Sequence, residues 1–348
     1  MAGDLDTRVV SAARLTELAT AVLAGAGAPG DTANAVACSL VESNLLGHDS
    51  HGVRRLPSYL EAVAAGRIAP AARPEVVESD VAESGGATAT IDGKHAFGQL
   101  SARLAVREVR ERAHRHGVAT AVIRRCNHVG RLGEYVADLA ADGLVALTLG
   151  NADPAVAPYG GRERRLGTNP MAWAVPREAG GAVVMDWATA ATAEGKLAEA
   201  RTHGDRVSPG LLLDPSGNPS DDPEAFYAGG ALLPFGGHKG YALSVIIEIV
   251  GGLLSGAGIS SRPGYDGGFG TVVVAVDIAR FTPLDRFRAE VEQFCRELTT
   301  TPLAAGHDEV LVPGEREERV RRERTEHGIP MTEAGWRELR RLLPPAAT

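Results

Sequence analysis

The pattern of apolar and polar positions divides the chain into helix-like and strand-like stretches. In the first third, apolar residues recur at the three- and four-residue spacing of amphipathic helices. The first two predicted helices are separated by the Gly-Ala-Pro-Gly segment at 27–30, and Ser11 and Asp31 are their predicted N-caps. A third helix is predicted after Pro57, and a longer one from about residue 100 to residue 114.

Beyond residue 118 the pattern changes to short apolar runs that alternate with helical stretches. A short strand near residues 88–91 comes before this change. The further predicted strands are 118–123, 144–149, 171–175, 182–187 and 271–276, and a helix face at 132–140 lies between the first two of them. Segment 201–235 is rich in Pro, Gly, Ser and Asp, which predicts surface loops. The C-terminal part returns to helix over 315–326 and 332–343.

This mixture predicts an α/β fold but not a Rossmann fold. No Gly-x-Gly-x-x-Gly motif follows a strand and opens a helix, and no Walker motif surrounds Lys196 or Lys239. The most apolar run, 241–254, is too short to span a bilayer comfortably and carries Glu248 at its centre. We therefore expect this run to be a buried core helix.

Composition narrows the class of protein further. The chain has 348 residues, of which 44% are hydrophobic and 23% charged, as in ordinary globular proteins. A net charge of −8, with no basic patch beside aromatic residues, argues against a nucleic-acid partner. Three scattered cysteines indicate a reducing compartment. Because residues 1–6 also lack the features of a signal peptide, a cytoplasmic location and no membrane association are expected.

Lysine is unusually scarce in this sequence. Only Lys94, Lys196 and Lys239 are lysines among 36 basic residues, so a retained lysine can mark a site that needs a compact ammonium group. Lys94 lies in a turn-like Asp-Gly-Lys segment, where chance retention explains it. Lys239 lies in the glycine-bearing segment 236–241 and is the better functional candidate. A Schiff-base lysine of a pyridoxal-phosphate enzyme is a remote alternative for it.

The densest polar cluster is segment 47–55, which contains two histidines, an aspartate, a serine and two arginines. His51 and Arg55 are four residues apart, which on a helix places both side chains on one face. Such a pair suits a substrate that carries a carboxylate beside an oxygen that gains or loses a proton. Two alternatives remain: helix capping by Asp49 or Ser50, and a metal-dependent hydrolase or lyase that uses His48, Asp49 and His51.

Several further polar residues follow predicted strands. His128 lies between a strand and a helix, where the positive end of the helix would help to keep its imidazole neutral and able to act as a general base. Asp153 could orient a histidine or form an Asx turn. Asn169 lies in a turn, and Asp186 ends a strand, where an acid can bind ribose hydroxyls.

Taken in order, these segments resemble the malate/L-lactate dehydrogenase type 2 family, which includes sulfolactate and ureidoglycolate dehydrogenases and cyclic-imine carboxylate reductases. The resemblance covers roughly residues 10–330. The segments that carry it are 49–55, 127–130, 167–170, 186–189 with 195–196, 236–241 and 313–315. No segment is specific alone, but the ordered set is.

The resemblance implies an NAD- or NADP-dependent oxidoreductase, with a slight preference for NAD, that acts on a small 2-hydroxy or 2-oxo acid. It implies a non-Rossmann fold in which a mixed, largely antiparallel sheet is flanked by a helical domain built from both termini. We place the helical domain at 1–117 and 305–348, and the dinucleotide domain at 118–304. A homodimer is expected, with the active site near the subunit interface.

The resemblance also implies roles for individual residues. His128 is the expected catalytic acid/base, oriented by Asp153. The expected substrate-binding residues are Ser50, His51 and Arg55. The expected cofactor-binding residues are Asn169, Asp186, Trp187, Ala188, Lys239, Gly314 and Glu315, and no metal site is expected.

Two positions depart from the family pattern. Members often have a polar or basic residue where this chain has Ala152, and serine where it has Ala190. The first departure removes a possible substrate or cofactor contact and leaves the substrate open. Reduction of a cyclic imine carboxylate is therefore an alternative activity, and an inactive homologue used as a binding protein is a remote one.

Overall fold

The structure is a computed structural model that describes residues 7–77, 85–178, 181–265 and 267–344. The expectation about a signal peptide falls on residues 1–6 and lies outside the described residues. The helices are α1 Ala12–Gly25, α2 Gly30–Leu45, α3 Leu56–Ala64, α4 Gly98–His116, α5 Gly133–Ala141, α6 Glu194–His203, α7 Pro223–Tyr227, α8 His238–Ile249, α9 Leu284–Thr299, α10 Glu315–His327 and α11 Glu333–Arg341. Single turns of 3-10 helix occur at Asp49–His51, Val53–Arg55 and Ile278–Arg280, and a π-helical segment, Val250–Leu254, continues α8.

The described strands are β1 Thr7–Val10, β2 Glu75–Val77, β3 Thr88–Asp92, β4 Val118–Arg124, β5 Leu144–Gly150, β6 Met171–Pro176, β7 Ala182–Trp187, β8 Leu212–Leu213, β9 Pro219–Ser220, β10 Ala231–Leu232, β11 Thr271–Asp277 and β12 Ile329–Thr332. Seven of them form one sheet in the order β2-β3-β4-β11-β5-β6-β7. The β3–β4 pair is parallel, and the other five pairs are antiparallel. The predicted mixed, largely antiparallel α/β fold is confirmed.

Alternating residues of the sheet fill two different cores. On β11, Val273 and Ala275 belong to the core formed with α4 and α5, whereas Val272 belongs to the core that contains Ile247 of α8. Successive side chains of a strand point to opposite faces, so one run of valines serves both layers. Helices therefore cover both faces of the sheet.

The two ends of the chain meet in a separate helical layer. β1 pairs antiparallel with β12, and a third core joins α1, α2 and α3 to residues near the C-terminus, such as Ile329 and Leu339. The division into two domains stays a prediction. The sheet nevertheless includes β2 and β3, and α4 packs on it, although all three precede the predicted boundary at residue 118.

Some local expectations are corrected. The Ser11 hydroxyl accepts the Arg14 N–H as an N-cap should, but α2 begins at Gly30, so Asp31 lies inside its first turn and binds Thr32 N–H instead. Segment 201–235 is not only loop, because it contains α7 and the small sheet β10-β8-β9. Helices α6 and α9 were not predicted from the sequence.

The apolar run at 241–254 is helical but is not a buried core helix. Ile247 and Glu248 are buried, whereas Ile246, Ile249, Leu253 and Leu254 are 44–60% exposed. One side of α8 thus packs on the sheet, and the other presents an apolar surface. Among the described residues, no helix has the length and apolar character needed to cross a membrane.

Candidate active site

A sharp turn between α2 and α3 sets the position of the polar cluster. Gly52 is extended, at φ −85° and ψ −154°, and separates the two 3-10 turns. A Cβ at Gly52 would lie 2.2 Å from Oδ1 of the buried Asn44, which accepts the Val53 N–H at 2.9 Å. The prediction that His51 and Arg55 share one face of a continuous helix is therefore wrong. Both residues nevertheless approach His128.

The two histidines of the predicted site lie against each other. The rings of His51 and His128 are stacked, with centroids 5.7 Å apart and an interplanar angle of 25°. The Ser50 hydroxyl lies 3.1 Å from Nδ1 of His51. Gly195, at the start of α6, allows this arrangement, because a Cβ there would come within 2.9 Å of the Ser50 Cβ. The structure thus brings Ser50, His51 and His128 together.

His128 is held by residues that its sequence neighbourhood does not indicate. The Tyr59 hydroxyl lies 2.9 Å from His128 Nδ1, and the Gly130 N–H donates to the same nitrogen at 3.3 Å. Gln99 Nε2 donates to the Tyr59 hydroxyl at 2.8 Å. Both Tyr59 and Gln99 are buried. With Nδ1 bound in this way, Nε2 is the ring nitrogen left for a substrate.

Burial and positive charge keep the site histidines neutral. Desolvation, then the charge of Arg55, then His51, lower the pKa of His128 well below its usual value. Desolvation, with help from Arg55, His48 and Arg131, lowers the pKa of His51 to about 4. The neutral imidazole was expected from the terminus of the following helix, but the environment of the ring supplies it. A neutral imidazole near pH 7 can accept a proton.

Arg55 is a cation without an acidic partner. It is partly buried, no acidic side chain in the described residues forms an ion pair with it, and its Nε is buried without a hydrogen bond. It lines a cavity of about 390 Å³ together with Tyr59, Asp153 and His128. A half-desolvated guanidinium beside a cavity is a ready binding site for a carboxylate.

Asp153 lines the same cavity but does not hold His128. Its carboxylate interacts with the Tyr265 hydroxyl, and burial raises its pKa although Arg67 and Tyr265 act in the opposite direction. The hydrogen bonds to His128 Nδ1 come from Tyr59 and Gly130 instead. The orienting role predicted for Asp153 thus belongs to Tyr59, while Asp153 remains positioned to contact a substrate.

The residues proposed for the alternative metal site have other partners. Asp49 pairs with Arg324 at 2.8 Å and accepts from the Asn44 amide at 2.6 Å. His48 lies 3.6 Å from Glu317. Across the described ranges, no group of three or more His, Cys, Asp or Glu side chains is arranged to hold a metal ion. The cluster therefore anchors α10 to the turn between α2 and α3.

Segment 236–239 forms the start of α8. Gly236 and Gly237 have φ values of 56° and 63°, in the left-handed region that favours glycine. Lys239 follows in the first turn of this 12-residue helix and is exposed. A pyridoxal-phosphate Schiff base needs a desolvated lysine, so this exposure disfavours that alternative. Trp187, 46% exposed, lies 6.2 Å from Phe235 between ring centroids, just before the same segment.

Asp186, near the end of β7, is hydrogen-bonded to the start of helix α5. Its Oδ2 accepts the Gly133 N–H at 2.7 Å, at the start of α5, and lies 3.8 Å from Arg131. A carboxylate at a helix N-terminus is stabilised by the helix dipole. The Asp186 carboxylate thus has a structural partner in addition to the cofactor contact predicted for it. Ala188, two residues on, is partly buried.

Three other predicted cofactor residues have structural partners. Asn169 is completely buried, and its amide bonds to Ser244, Glu248 and the Ala152 N–H. These bonds brace the interior, and the cofactor contact stays a prediction for Asn169. Glu315 accepts from Arg177 and from the Val312 N–H. Gly314 has φ 96°, and a Cβ there would lie 3.2 Å from the Val184 nitrogen. Gly314 thus lets the start of α10 lie close to β7, and Glu315 binds it to Arg177, which follows β6.

Sequence reasoning missed Tyr59, Gln99 and the structural role of Glu248. Tyr59 lies within the predicted third helix, where no site role was expected of it, and Gln99 falls just before the predicted start of α4. Buried Glu248 accepts from Asn151, Asn169 and Ser260. For Glu248, the one signal in the sequence was the position of an acidic residue in the middle of an apolar run.

Comparison with known proteins identifies the family of the chain. The model of the malate/L-lactate dehydrogenase family matches residues 10–340. The chain belongs to this family. It is 37% identical to an L-lactate dehydrogenase of Cupriavidus necator, with 96% of each chain covered. It is 34% identical to a malate/(S)-sulfolactate dehydrogenase of Methanothermus fervidus, which covers 93% of this chain and 94% of that one.

One of the similar solved structures is a reductase with a different kind of substrate. The Δ1-piperideine-2-carboxylate reductase of Pseudomonas syringae pvar. tomato superposes with a TM-score of 0.85 and 31% identity, over 96% of this chain and 99% of that one. The relatives are thus dehydrogenases of hydroxy acids, and one structural neighbour reduces a cyclic imine. All of these substrates are small carboxylates.

Proposed function

We propose that this protein is an NAD(P)-dependent oxidoreductase that transfers hydride between nicotinamide and C2 of a small 2-hydroxy or 2-oxo acid. The observation that carries the proposal is the unpaired guanidinium of Arg55 beside the neutral ring of His128 in one cavity. A cation that binds a carboxylate next to an uncharged acid/base is what oxidation of a 2-hydroxy acid needs.

In this mechanism Arg55 binds the substrate carboxylate and thereby directs the C2 hydroxyl towards His128. His128 takes the hydroxyl proton on Nε2 during oxidation and returns a proton to the oxygen during reduction. The carboxylate also offsets the charge of Arg55, which favours the protonated ring. His51, stacked on His128, excludes water from one side of it. The bound nicotinamide supplies or accepts the hydride.

The chain offers donors that fit a dinucleotide. The paired left-handed glycines 236 and 237 precede the N-terminus of α8, where free backbone N–H groups and the helix dipole favour a phosphate. Lys239 adds a mobile ammonium in the first turn, and the exposed ring of Trp187 offers a stacking surface. We assign Lys239, Trp187 and Ala188 to cofactor binding, with Asp186 and Gly314 shaping the strand and loop beside them.

Two classes of substrate fit the same arrangement of Arg55 and His128. Lactate, malate and sulfolactate dehydrogenases among the relatives favour a 2-hydroxy acid. The cyclic-imine reductase favours an imine carboxylate as the second candidate. In that reaction His128 would protonate nitrogen rather than oxygen, and Arg55 would keep its role.

We also propose that two copies of the chain associate through the outer side of α8 and the π-helical segment that follows it. Ile246, Ile249, Leu253 and Leu254 are each at least 44% exposed there. Contiguous exposed apolar side chains of this kind usually mark a protein interface. A cytoplasmic location remains a prediction from composition.

A spectrophotometric assay tests the activity. The purified protein is supplied with NADH or NADPH, and oxidation of the nicotinamide is followed with a panel of 2-oxo acids and cyclic imine carboxylates. The proposal expects turnover with at least one of them. The preferred acceptor distinguishes the two substrate classes, and the cofactor comparison distinguishes NAD from NADP. Absence of turnover across the panel, with a folded protein, contradicts the proposal.

A further inference from the structure

Three side chains form a hydrogen-bonded chain that ends on the proposed acid/base. Gln99 Nε2 donates to the Tyr59 oxygen at 2.8 Å, and that oxygen lies 2.9 Å from His128 Nδ1. A tyrosine hydroxyl has one proton to donate. The Tyr59 oxygen has a second lone pair, but the Gly130 N–H also points to Nδ1, so Nδ1 is an acceptor and the Tyr59 proton points to it. The neutral His128 ring then carries its proton on Nε2.

This tautomer serves only part of the reaction. Nε2–H can donate a hydrogen bond to the carbonyl oxygen of a 2-oxo acid, but it cannot accept the hydroxyl proton of a 2-hydroxy acid. Oxidation needs a lone pair on Nε2, so the ring proton must lie on Nδ1. The protonated ring also has Nδ1–H. In both of these forms Nδ1 is a donor, and the Tyr59 oxygen must accept from it.

Gln99 provides a way to reverse the chain. Its Oε1 is buried and has no hydrogen-bond partner within the described part of the chain. A half-turn of the amide exchanges Nε2 and Oε1, so Oε1 then accepts the Tyr59 proton. Either orientation makes one hydrogen bond to Tyr59 and leaves the other amide group without a partner. The two orientations are therefore similar in hydrogen bonding, as a switch requires.

The contact between the Gly130 N–H and His128 Nδ1 sets which orientation of the Gln99 amide prevails in the resting protein. The Gly130 N–H points to Nδ1 at 3.3 Å, longer than the 2.9 Å of the Tyr59 contact. This N–H favours an acceptor nitrogen, and its bond is lost when Nδ1 becomes a donor. The structure thus shows the resting direction of the chain. Tyr59 and His128 both line the cavity, so cavity water can exchange their protons.

We propose that Tyr59 and Gln99 are positioning residues that form a reversible hydrogen-bond relay, with the Gln99 amide as the switch that fixes which nitrogen of His128 carries the proton. The inference rests on the proposed role of His128. During oxidation the hydroxyl proton moves to Nε2 while hydride leaves C2 for the nicotinamide. Nδ1–H then donates to Tyr59, and Tyr59 donates to Gln99 Oε1. Reduction reverses each step.

Nitrogen NMR of histidine-labelled protein tests the relay without substrate or cofactor. Spectra that correlate ring nitrogens with ring protons distinguish the two tautomers, and His128→Asn assigns the signal. The wild type should show His128 with its proton on Nε2. In Gln99→Glu the ionised carboxylate has only acceptor oxygens, so at a pH high enough to ionise this buried group Tyr59 turns towards it and the His128 proton should move to Nδ1. Gln99→Met, of similar size, should keep the wild-type tautomer.

A wild-type ring with its proton on Nδ1 overturns the proposal, and so does a Gln99→Glu protein with the same tautomer as Gln99→Met. If Gln99→Glu does not fold, Tyr59→Phe decides. That change should lower kcat about tenfold in both directions and leave KM within about twofold, as expected for loss of one hydrogen bond to the reacting ring. An unchanged kcat overturns the relay. Absence of nicotinamide-linked turnover in the wild type would instead overturn the proposed function and leave the NMR result standing.

Discussion

The imidazole rings of His51 and His128 are stacked 5.7 Å apart, although the two residues belong to different parts of the fold. His51 ends a 3-10 turn between α2 and α3, and His128 follows strand β4. The His51 ring is one of the groups that lower the pKa of His128. Burial and Arg55 add to this effect, so both rings stay neutral in the resting protein.

Replacement of His128 by alanine should reduce kcat by about 10²–10⁴-fold, the usual contribution of a positioned acid or base. Dinucleotide affinity should change little, because the proposed cofactor residues lie on β7 and α8. Steady-state kinetics and a fluorescence titration with reduced nicotinamide measure the two quantities. Turnover like that of the wild type would show that another group moves the proton.

Replacement of Arg55 by glutamine should lower kcat/KM by about tenfold to a hundredfold, since a charge-assisted hydrogen bond contributes about 1.5–3 kcal/mol. The same change removes a charge that depresses the pKa of His128, so that pKa should rise. Oxidation needs the neutral ring, and its acid limb should therefore move to higher pH. The dependence of kcat/KM for oxidation on pH measures the shift.

Arg54→Gln is the matched control for Arg55, because Arg54 is the adjacent residue and is exposed. It should leave both kcat/KM and the pH profile unchanged. An acid limb that stays in place in Arg55→Gln, or moves equally in both variants, would contradict the assignment of Arg55 to the site.

The protein should lose stability as the pH falls from about 6.5 towards 4. Folding lowers the pKa of His51 from 6.5 to about 4, so within this window the unfolded chain binds the proton and the folded chain does not. Stability is complete above the unfolded pKa and falls below it, by up to about 3 kcal/mol for this residue. Urea unfolding at a series of pH values measures the slope. His51→Gln should have a shallower slope, and an equal slope would refute the contribution of His51.

Replacement of Glu248 by alanine should destabilise the fold by about 3 kcal/mol or more. The change removes the acceptor of the buried Ser260 N–H and one acceptor each from the Asn151 and Asn169 amides, which keep bonds to Gly258 and Ser244. Glu248→Gln keeps one acceptor oxygen and should cost less, and the exposed Glu297→Ala should stay within about 0.5 kcal/mol of the wild type. Chemical unfolding measures all three. A small effect of Glu248→Ala would mean that water replaces the carboxylate.

Ile246→Glu should convert the proposed dimer into a monomer. The residue is 56% exposed on the outer side of α8, where a charge would have to be desolvated between two copies. Light scattering coupled to size-exclusion chromatography measures the mass. Leu298→Glu, on α9 and 40% exposed, is the control and should not change it. A wild-type monomer would contradict the proposed dimer. A dimer in both variants would place the interface elsewhere.

The periodicity of the sequence was sufficient for most elements of the fold. Short continuous apolar runs predicted every long strand of the sheet from β4 onwards, because strands that pack against helices on both faces carry apolar residues at successive positions. Helix spacing predicted α1 to α5 and the C-terminal helices. It missed α6, which has almost no apolar face. It also missed α9, although apolar residues recur there at helical spacing, at Leu284, Phe287, Val291, Phe294 and Leu298.

The sequence by itself determined which residue types are available for the chemistry, including His51, Arg55 and His128, and the ordered motifs that place the chain in its family. Only the tertiary structure decided how they act together. The turn at Gly52 and Asn44 directs His51 and Arg55, and burial makes the histidines neutral. Tyr59 reaches His128 from α3, and Gln99, 40 residues further along the chain on α4, reaches Tyr59. Side-chain contacts between distant segments, and the desolvation that they produce, depend on packing that no local pattern records.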